Sequence, residues 1–152
     1  MIASSILDFA WIDAVDHQPN QPVMIIYEGV SMYLSEADNR ALLEQLERRF
    51  GFAHVVFDVL NRKVANRTRR HDTVSKTSAQ FQWGIDRSRE LETWNPNFVL
   101  KEEQFYLQHF LDYPQRLPTT WRVISQLLPA LPMALFKNSG RIVRLQLGPE
   151  PI

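Results

Sequence analysis

Two carboxylates follow or interrupt apolar runs, at positions where sheet proteins often carry out chemistry. Glu28 and Gly29 come directly after the unbroken apolar run 23–27, and Asp58 interrupts the apolar run 54–60. A carboxylate at the carboxyl end of a strand faces the crevice in which open α/β sheets bind ligands, and Gly29 lets the backbone turn or approach a ligand closely. The pattern alone leaves open the alternative that Glu28 only ends a solvated loop.

Other reactive side chains are scattered or missing. The chain has no cysteine, which excludes a thiol nucleophile, a disulfide framework and cysteine-ligated zinc. The four histidines, at positions 17, 54, 71 and 109, lack the spacing of metal ligands, so no metal site is expected. The pattern assigns no catalytic residue, and the basic segment 61–71 fits either a solvated helix face or loop, or a contact with a phosphate or an acidic substrate.

The elements that place the two carboxylates form a strand–helix–strand unit. The run 23–27 predicts a strand covered on both faces, as in parallel sheets. Ser35 to Asp38 forms a capping box ahead of a helix that ends near Gly51. Because a crossover of this length joins parallel strands, Glu28 and Asp58 should lie at the same edge of the sheet.

Further elements complete an α/β prediction. We expect a strand end within 2–8, a short helix around Trp11, a short helix at 88–94 and a strand within 97–106. An apolar stripe from Trp121 to Leu131 predicts another helix. The alternating run 141–147 predicts an antiparallel strand with one wetter face.

Composition narrows the functional classes. The 152 residues make one domain's worth of chain, with 45% hydrophobic and 22% charged residues, typical of a globular protein. Seventeen basic and seventeen acidic residues cancel, so a nucleic-acid or anionic-membrane partner is not expected. No run approaches the length of a membrane helix and no leader pattern is present, so we expect a cytoplasmic protein.

Several strings resemble the leucine carboxyl methyltransferase family, and within it the bacterial tetracenomycin-type O-methyltransferases of polyketide biosynthesis. They are 27–34, 55–60, 71–74, 81–86 and 141–148. The resemblance spans nearly the whole chain and corresponds to the carboxyl-terminal half of such enzymes. It implies the second half of a Rossmann-like methyltransferase sheet, with parallel strands and a late antiparallel pair whose last strand inserts between the Asp58 strand and the strand near Phe98. It also implies S-adenosylmethionine as the cofactor and a small-molecule hydroxyl or carboxylate as the methyl acceptor.

The resemblance assigns roles to individual residues. Glu28, with Gly29, matches the glutamate that closes the cofactor pocket, where a carboxylate could bind an amino group or balance the sulfonium charge. Ser5 and Ile6 match a pair that contacts adenine, although Ser5 replaces an aspartate. The residues expected near the acceptor are aromatic: Tyr33, Trp83 and Tyr106. Aromatic residues at such positions also serve as core, and that alternative stays open.

The resemblance leaves part of the site unaccounted for. None of the five glycines is spaced as a cofactor loop, so the glycine-rich turn of the family is not found in these residues. We therefore expect either a partial methyltransferase domain, with its parallel part at 1–60 and its substrate side at 61–152, or a non-catalytic interaction module. An open sheet edge would favour self-association or pairing with a separate amino-terminal half.

Overall fold

The computed structural model describes residues 2–18, 21–66, 80–106 and 139–151. These residues form a four-stranded mixed sheet with the order β1-β2-β4-β3. The strands are β1 Met24–Tyr27, β2 Ala53–Leu60, β3 Phe98–Phe105 and β4 Gly140–Leu147. The helices are α1 Ala10–Asp13, α2 Glu36–Phe50 and α3 Arg62–Ala65, with 3-10 helices at Ser31–Tyr33 and Ser88–Thr93.

The strand directions confirm the predicted topology. β1 and β2 are parallel, with Tyr27 opposite Phe57, and α2 makes the crossover between them. β4 is antiparallel to both β2 and β3, so it lies between them as the sequence predicted. Because β3 therefore runs in the same direction as β2, the carboxyl ends of β1, β2 and β3 all lie at one edge.

Helix α2 begins and ends at the predicted residues. The Ser35 Oγ accepts a hydrogen bond from the Asp38 amide at 3.1 Å, and an Asp38 carboxylate oxygen accepts one from the Ser35 amide at 3.3 Å. At the other end, Gly51 has a φ of 71°, which favours glycine. Leu42, Leu43 and Leu46 are buried on the side of α2 that faces the sheet, so one sheet face is covered.

The prediction that β1 is covered on both faces is wrong. Met24 and Ile26 are 60% and 70% exposed, whereas Ile25 and Tyr27 pack against the core. Side chains alternate across a strand, and among the described residues the helix packing lies on the side of Ile25 and Tyr27. An apolar run can thus belong to a strand with one open face, which periodicity could not reveal.

Three further predictions are corrected or lie outside the described residues. Residues 2–8 form turns, with the Asp8 amide donating to the Ser5 carbonyl at 3.0 Å, and not a strand end. The predicted helix at 88–94 is a 3-10 helix at Ser88–Thr93. The predicted helix from Trp121 to Leu131 lies outside the described residues.

Arg141 is buried in a strand whose sequence predicted one wetter face. It is 1% exposed, and its Nε lies 2.6 Å from Ser88 Oγ and 2.8 Å from a Glu103 carboxylate oxygen. Its Nη2 donates to the Ile85 carbonyl at 2.8 Å. Burial lowers the pKa of Arg141, and the nearby carboxylates, first among them Glu103, oppose that shift. This guanidinium joins β4 to the 3-10 helix and to β3.

Candidate functional site

The carboxyl ends of three strands converge at the edge where the sequence predicted a site. Glu28 and Gly29 follow β1, Asp58 lies near the end of β2, and Tyr106 follows β3. Glu28 is exposed, whereas Asp58 is only 4% exposed. In open α/β sheets this edge is the usual location of a ligand crevice.

The Asp58 carboxylate fixes the loop that follows β1. Its Oδ1 accepts a hydrogen bond from the Gly29 amide at 2.9 Å, and Gly29 has a φ of 69°. The Ser31 hydroxyl donates to the Asp58 carbonyl, and the Asn39 side-chain amide donates to the Ser31 carbonyl at 2.9 Å. Glu28 is therefore carried on a loop with a defined backbone.

Tyr106, which follows β3, reaches the same carboxylate across the intervening strand β4. Its hydroxyl donates to Asp58 Oδ2 at 2.8 Å, and its amide donates to the Gly140 carbonyl at 3.1 Å. The ring crosses β4 at Gly140, where an added Cβ would stand 2.6 Å from Tyr106 Cε2. Burial raises the pKa of Tyr106, as do its hydrogen bond to Asp58 and the charges of Asp58 and Glu28.

Tyr27, the last residue of β1, carries a buried hydroxyl at this edge. Its ring stacks on Phe57 with centroids 5.0 Å apart. Among the described residues the hydroxyl has no hydrogen-bond partner. Burial, and then the charge of Asp58, raise the pKa of Tyr27. The Asp58 charge thus acts on tyrosines from two different strand ends.

The site is acidic, which suits a ligand that carries positive charge. Asp58 forms no ion pair within the described ranges, and Glu28 is a second carboxylate at this edge. The space around Gly29 is open, because an added Cβ there would have no atom within 4 Å. Carboxylates accept hydrogen bonds from cationic groups such as ammonium, whereas none of the five glycines forms a glycine-rich turn.

Ser5 and Ile6, the predicted adenine contacts, lie in the turn that precedes α1. The Ser5 hydroxyl accepts a hydrogen bond from the Leu7 amide at 3.3 Å, and the Ile6 carbonyl accepts one from the Trp11 indole at 3.1 Å. Ser5 is exposed and Ile6 packs against the core. Their role toward adenine stays a prediction.

Two of the three residues predicted to lie near the acceptor, Tyr33 and Trp83, have ring contacts with residues other than Asp58. Tyr33 is half-buried, and its ring contacts Phe81 edge-on at 5.2 Å. Trp83 is 4% exposed and packs in the core against Trp94, with ring centroids 5.5 Å apart. This is the core role that the sequence left open as an alternative for these aromatic residues. Only Tyr106 of the three bonds to a carboxylate of the site.

Sequence reasoning missed three residues that shape the site. Ser31 and Asn39 are 0% and 1% exposed and hold the loop after β1, while Gly140 makes room for Tyr106. Asn39 lies three residues before Leu42 on the buried side of α2, so a polar residue on an apolar stripe was a usable signal. No local sequence pattern pointed to Gly140, because its role depends on the side chain of Tyr106, which follows another strand.

Other kinds of site find no support in the part of the chain that the structure describes. No group of three or more acidic or histidine side chains there could hold a metal ion, and no helix there is long and apolar enough to cross a membrane. The basic residue Arg62 pairs with Asp86 and Glu90. Arg62 therefore has acidic partners within the fold, and residues 67–71 of the basic segment lie outside the described residues.

The fold and the site define a mixed α/β sheet protein with two carboxylates, Glu28 and Asp58, at the carboxyl edge of its parallel strands. Comparison with known structures supports the fold: a DUF574 family protein from Streptomyces avermitilis matches 97% of this chain and 54% of its own, with a TM-score of 0.55 at 9% identity. At that identity the match shows the fold alone. No family model matches the chain.

Sequence comparison identifies the relatives. The tetracenomycin polyketide synthesis O-methyltransferase TcmP of Streptomyces glaucescens is 30% identical over 103 residues, which is 68% of this chain and 37% of that protein. The S-adenosyl-L-methionine-dependent methyltransferase dpfgK of Gibberella zeae is 28% identical over 114 residues, with the same shares of each chain. The predicted resemblance is therefore confirmed as partial homology, and the chain spans little more than a third of each relative's length.

Proposed function

We propose that this chain forms part of an S-adenosylmethionine-dependent O-methyltransferase that acts on a small, polyketide-like molecule at a hydroxyl or carboxylate oxygen. The observation that carries the proposal is the acidic edge at which Glu28, Gly29, Asp58 and Tyr106 meet, in a chain partly homologous to such enzymes. Its sheet is then the second half of a Rossmann-like methyltransferase sheet, with the boundary between parallel part and substrate side near residue 60.

Under this proposal each residue of the edge has a physical task. Glu28 and Gly29 hold the cationic end of the cofactor, Ser5 and Ile6 approach its adenine, and Tyr33, Trp83 and Tyr106 lie on the acceptor side. The cofactor supplies a methyl group on a positively charged sulfur. The protein's contribution is to position the acceptor oxygen and to exclude water, so a catalytic triad is not required.

The first test is calorimetric titration of the 152-residue chain with S-adenosylmethionine and S-adenosylhomocysteine. We expect saturable binding that Glu28→Ala weakens at least about tenfold, because a charged contact of this kind contributes about 1.5–3 kcal/mol. Glu150→Ala is the matched control. Glu150 is also exposed, but it follows β4 at the opposite edge of the sheet.

Two results would count against the methyltransferase proposal. The first is equal loss of affinity in Glu28→Ala and Glu150→Ala, which would move the cofactor away from the predicted edge. The second is no binding by the chain, either alone or after addition of a polypeptide that matches the remaining length of the relatives. The second result would favour the alternative described next.

A second candidate function is a non-catalytic interaction module that associates with another copy of itself. The observation that favours it is that no described strand pairs with the outer edge of β1, while the open face of the same strand exposes Met24 and Ile26. Exposed strand edges pair readily with other chains. A four-residue strand offers few backbone hydrogen bonds, so the two apolar side chains would supply much of the contact.

Sedimentation of the chain over a range of concentrations tests this candidate. We expect a dimer or larger species, which Ile26→Lys converts to monomer by placing a charge on the exposed face of the edge strand. Leu7→Lys is the control, since Leu7 is also exposed but lies in the amino-terminal turns. A wild-type chain that stays monomeric at all concentrations would rule out self-association.

A further inference from the structure

We propose that the cavity between the 3-10 helix Ser88–Thr93 and β3 binds a small organic anion, in which a carboxylate is attached to an apolar body. β3 is an outer strand of the sheet, and β4 and β2 separate it from β1, which Glu28 follows. The site is therefore distinct from the Glu28 loop. The proposal goes beyond the methyltransferase function and does not depend on it.

The cavity has the size of a small-molecule site. Its volume is about 490 Å³, and pockets for small ligands typically enclose about 300–1,000 Å³. One wall is the segment 86–89, and the other consists of residues 100–103 and 105 of β3. Charged side chains on both walls are exposed, so a ligand can enter the cavity from solvent.

Buried polar groups give the inner side of the cavity a fixed shape. Ser88 is 3% exposed, and its hydroxyl donates to a Glu103 carboxylate oxygen and accepts from Arg141 Nε, both at 2.6 Å. The Arg141 guanidinium carbon also lies 5.7 Å from the centroid of the Phe105 ring. Leu100 and Phe105 are half-buried and line the cavity. These two side chains provide an apolar contact for the body of a ligand.

The carboxylates that line the cavity already have arginine partners that do not line it. The three ion pairs join Glu103 to Arg141 at 2.8 Å, Glu102 to Arg144 at 3.3 Å and Asp86 to Arg62 at 3.6 Å. A cationic ligand would have to compete with these arginines for each carboxylate. The acidic side chains of the lining therefore do not favour a cation.

The cations that line the cavity are less well balanced. Within the described ranges Arg87 and Lys101 form no ion pair, and the pair that Arg89 makes is 3.6 Å long, with 82% of the Arg89 side chain exposed. A β-bulge between Leu100 and Glu102 leaves Lys101 with no opposite residue in β4, and bulges re-aim side chains beside binding sites. Because guanidinium and ammonium groups bind carboxylates by charge-assisted hydrogen bonds, this lining favours an anion.

Two accounts of this surface predict different binding. A solvated face, which is the common role of exposed basic residues, would attract small anions weakly and without regard to their shape. A binding site would hold the carboxylate near Arg87 and Lys101 and the apolar body against Leu100 and Phe105. Affinity would then depend on both parts of the ligand.

Calorimetric titration of the 152-residue chain with 2-naphthoate separates the two accounts. The comparison compounds are 2-naphthamide, a neutral molecule of nearly the same shape, and acetate, which has the charge without the ring. We expect saturable binding of one 2-naphthoate per chain, with affinities at least about tenfold lower for the amide and for acetate, because each lacks one of the two contacts. Equal affinity for 2-naphthoate and either comparison compound, or no saturable binding of 2-naphthoate, would overturn the proposal.

Variants of exposed residues assign the binding to this cavity. Replacing Arg87→Gln and Lys101→Gln in one chain should lower 2-naphthoate affinity at least about fivefold, because two partly exposed charged contacts are removed. Arg48→Gln is the matched control, since Arg48 is also exposed but lies on α2. Urea midpoints equal to that of the wild type should show that both variants fold. An unchanged affinity in the double variant, or an equal loss in Arg48→Gln, would overturn the proposal.

The result is independent of the cofactor. The naphthoate titration requires no S-adenosylmethionine, so failure of the chain to bind S-adenosylhomocysteine would count against the proposed function alone. Conversely, a chain that binds S-adenosylhomocysteine but not 2-naphthoate would overturn the anion site and leave the methyltransferase proposal intact.

Discussion

The Tyr106 hydroxyl donates to the Asp58 carboxylate at 2.8 Å although β4 lies between their strands. The bond is possible because the tyrosine ring crosses β4 at Gly140, where no Cβ blocks it. Asp58 also accepts from the Gly29 amide. A single carboxylate therefore connects the loop that carries Glu28 to the end of β3, and this relationship yields the first prediction.

Gly140→Ala should displace the Tyr106 ring and break its bond to Asp58. The new Cβ would lie 2.6 Å from Tyr106 Cε2, so we expect a loss of about 1–3 kcal/mol in the free energy of unfolding, measured by urea denaturation. Repeating the substitution in a Tyr106→Ala background provides the control. If the ring is the cause, the second loss should be much smaller, and two equal losses would contradict this account.

The raised pKa values of Tyr27 and Tyr106 predict a loss of stability in alkali. Unfolded tyrosine ionises near pH 10, whereas both folded groups keep their protons to higher pH. Between these values the unfolded chain binds fewer protons, so the contribution of the two tyrosines to stability is constant below about pH 10 and falls as the pH rises further. Tyr27 should contribute up to about 1.4 kcal/mol per pH unit.

Urea midpoints measured from pH 8 to 11 in wild-type protein and in Tyr27→Phe check this prediction. The variant should lose stability less steeply above pH 10, because it has one buried phenol fewer. At neutral pH it should be as stable as wild type or more so, since the Tyr27 hydroxyl has no partner among the described residues. Parallel alkaline slopes would refute the assignment to Tyr27.

Gly148→Ala should be far more damaging than Gly51→Ala. Both glycines have positive φ, of 74° and 71°, so each alanine incurs backbone strain of about 1–3 kcal/mol. An added Cβ at Gly148 would also fall 1.6 Å from the Gly51 carbonyl oxygen, whereas one at Gly51 would meet nothing within 4 Å. We expect only Gly148→Ala to reduce soluble expression and the thermal midpoint severely, and similar effects from both would contradict the geometry.

Arg141→Met should destabilise the protein by about 3 kcal/mol, because it removes a buried charge that serves Ser88, Glu103 and the Ile85 carbonyl. Arg144→Met on the same strand is the matched control. Its pair with Glu102 is 3.3 Å long and exposed on both sides, so the expected loss is under about 1 kcal/mol. Chemical denaturation of both variants gives the comparison, and similar losses would show that burial of Arg141 matters little.

Much of the sheet topology could be predicted from sequence because local patterns and general connection rules were sufficient. The capping box at Ser35, the stripe on α2 and Gly51 placed the helix, and the crossover rule made β1 and β2 parallel. The resemblance then placed β4 between β2 and β3. The exposure of Met24 and Ile26 could not be predicted, since an apolar run does not show which faces its neighbours cover.

By itself the sequence determined α1, α2 and the four strands, the shared edge of Glu28 and Asp58, and the likeness to methyltransferases. These follow from residue spacing and from strings that lie close together in the chain. Only the tertiary structure decided that Trp83 lies in the core, that Arg141 is buried and that Tyr106 bonds to Asp58. Those outcomes depend on which side chains meet across strands that are distant in sequence, and no local pattern encodes such a meeting.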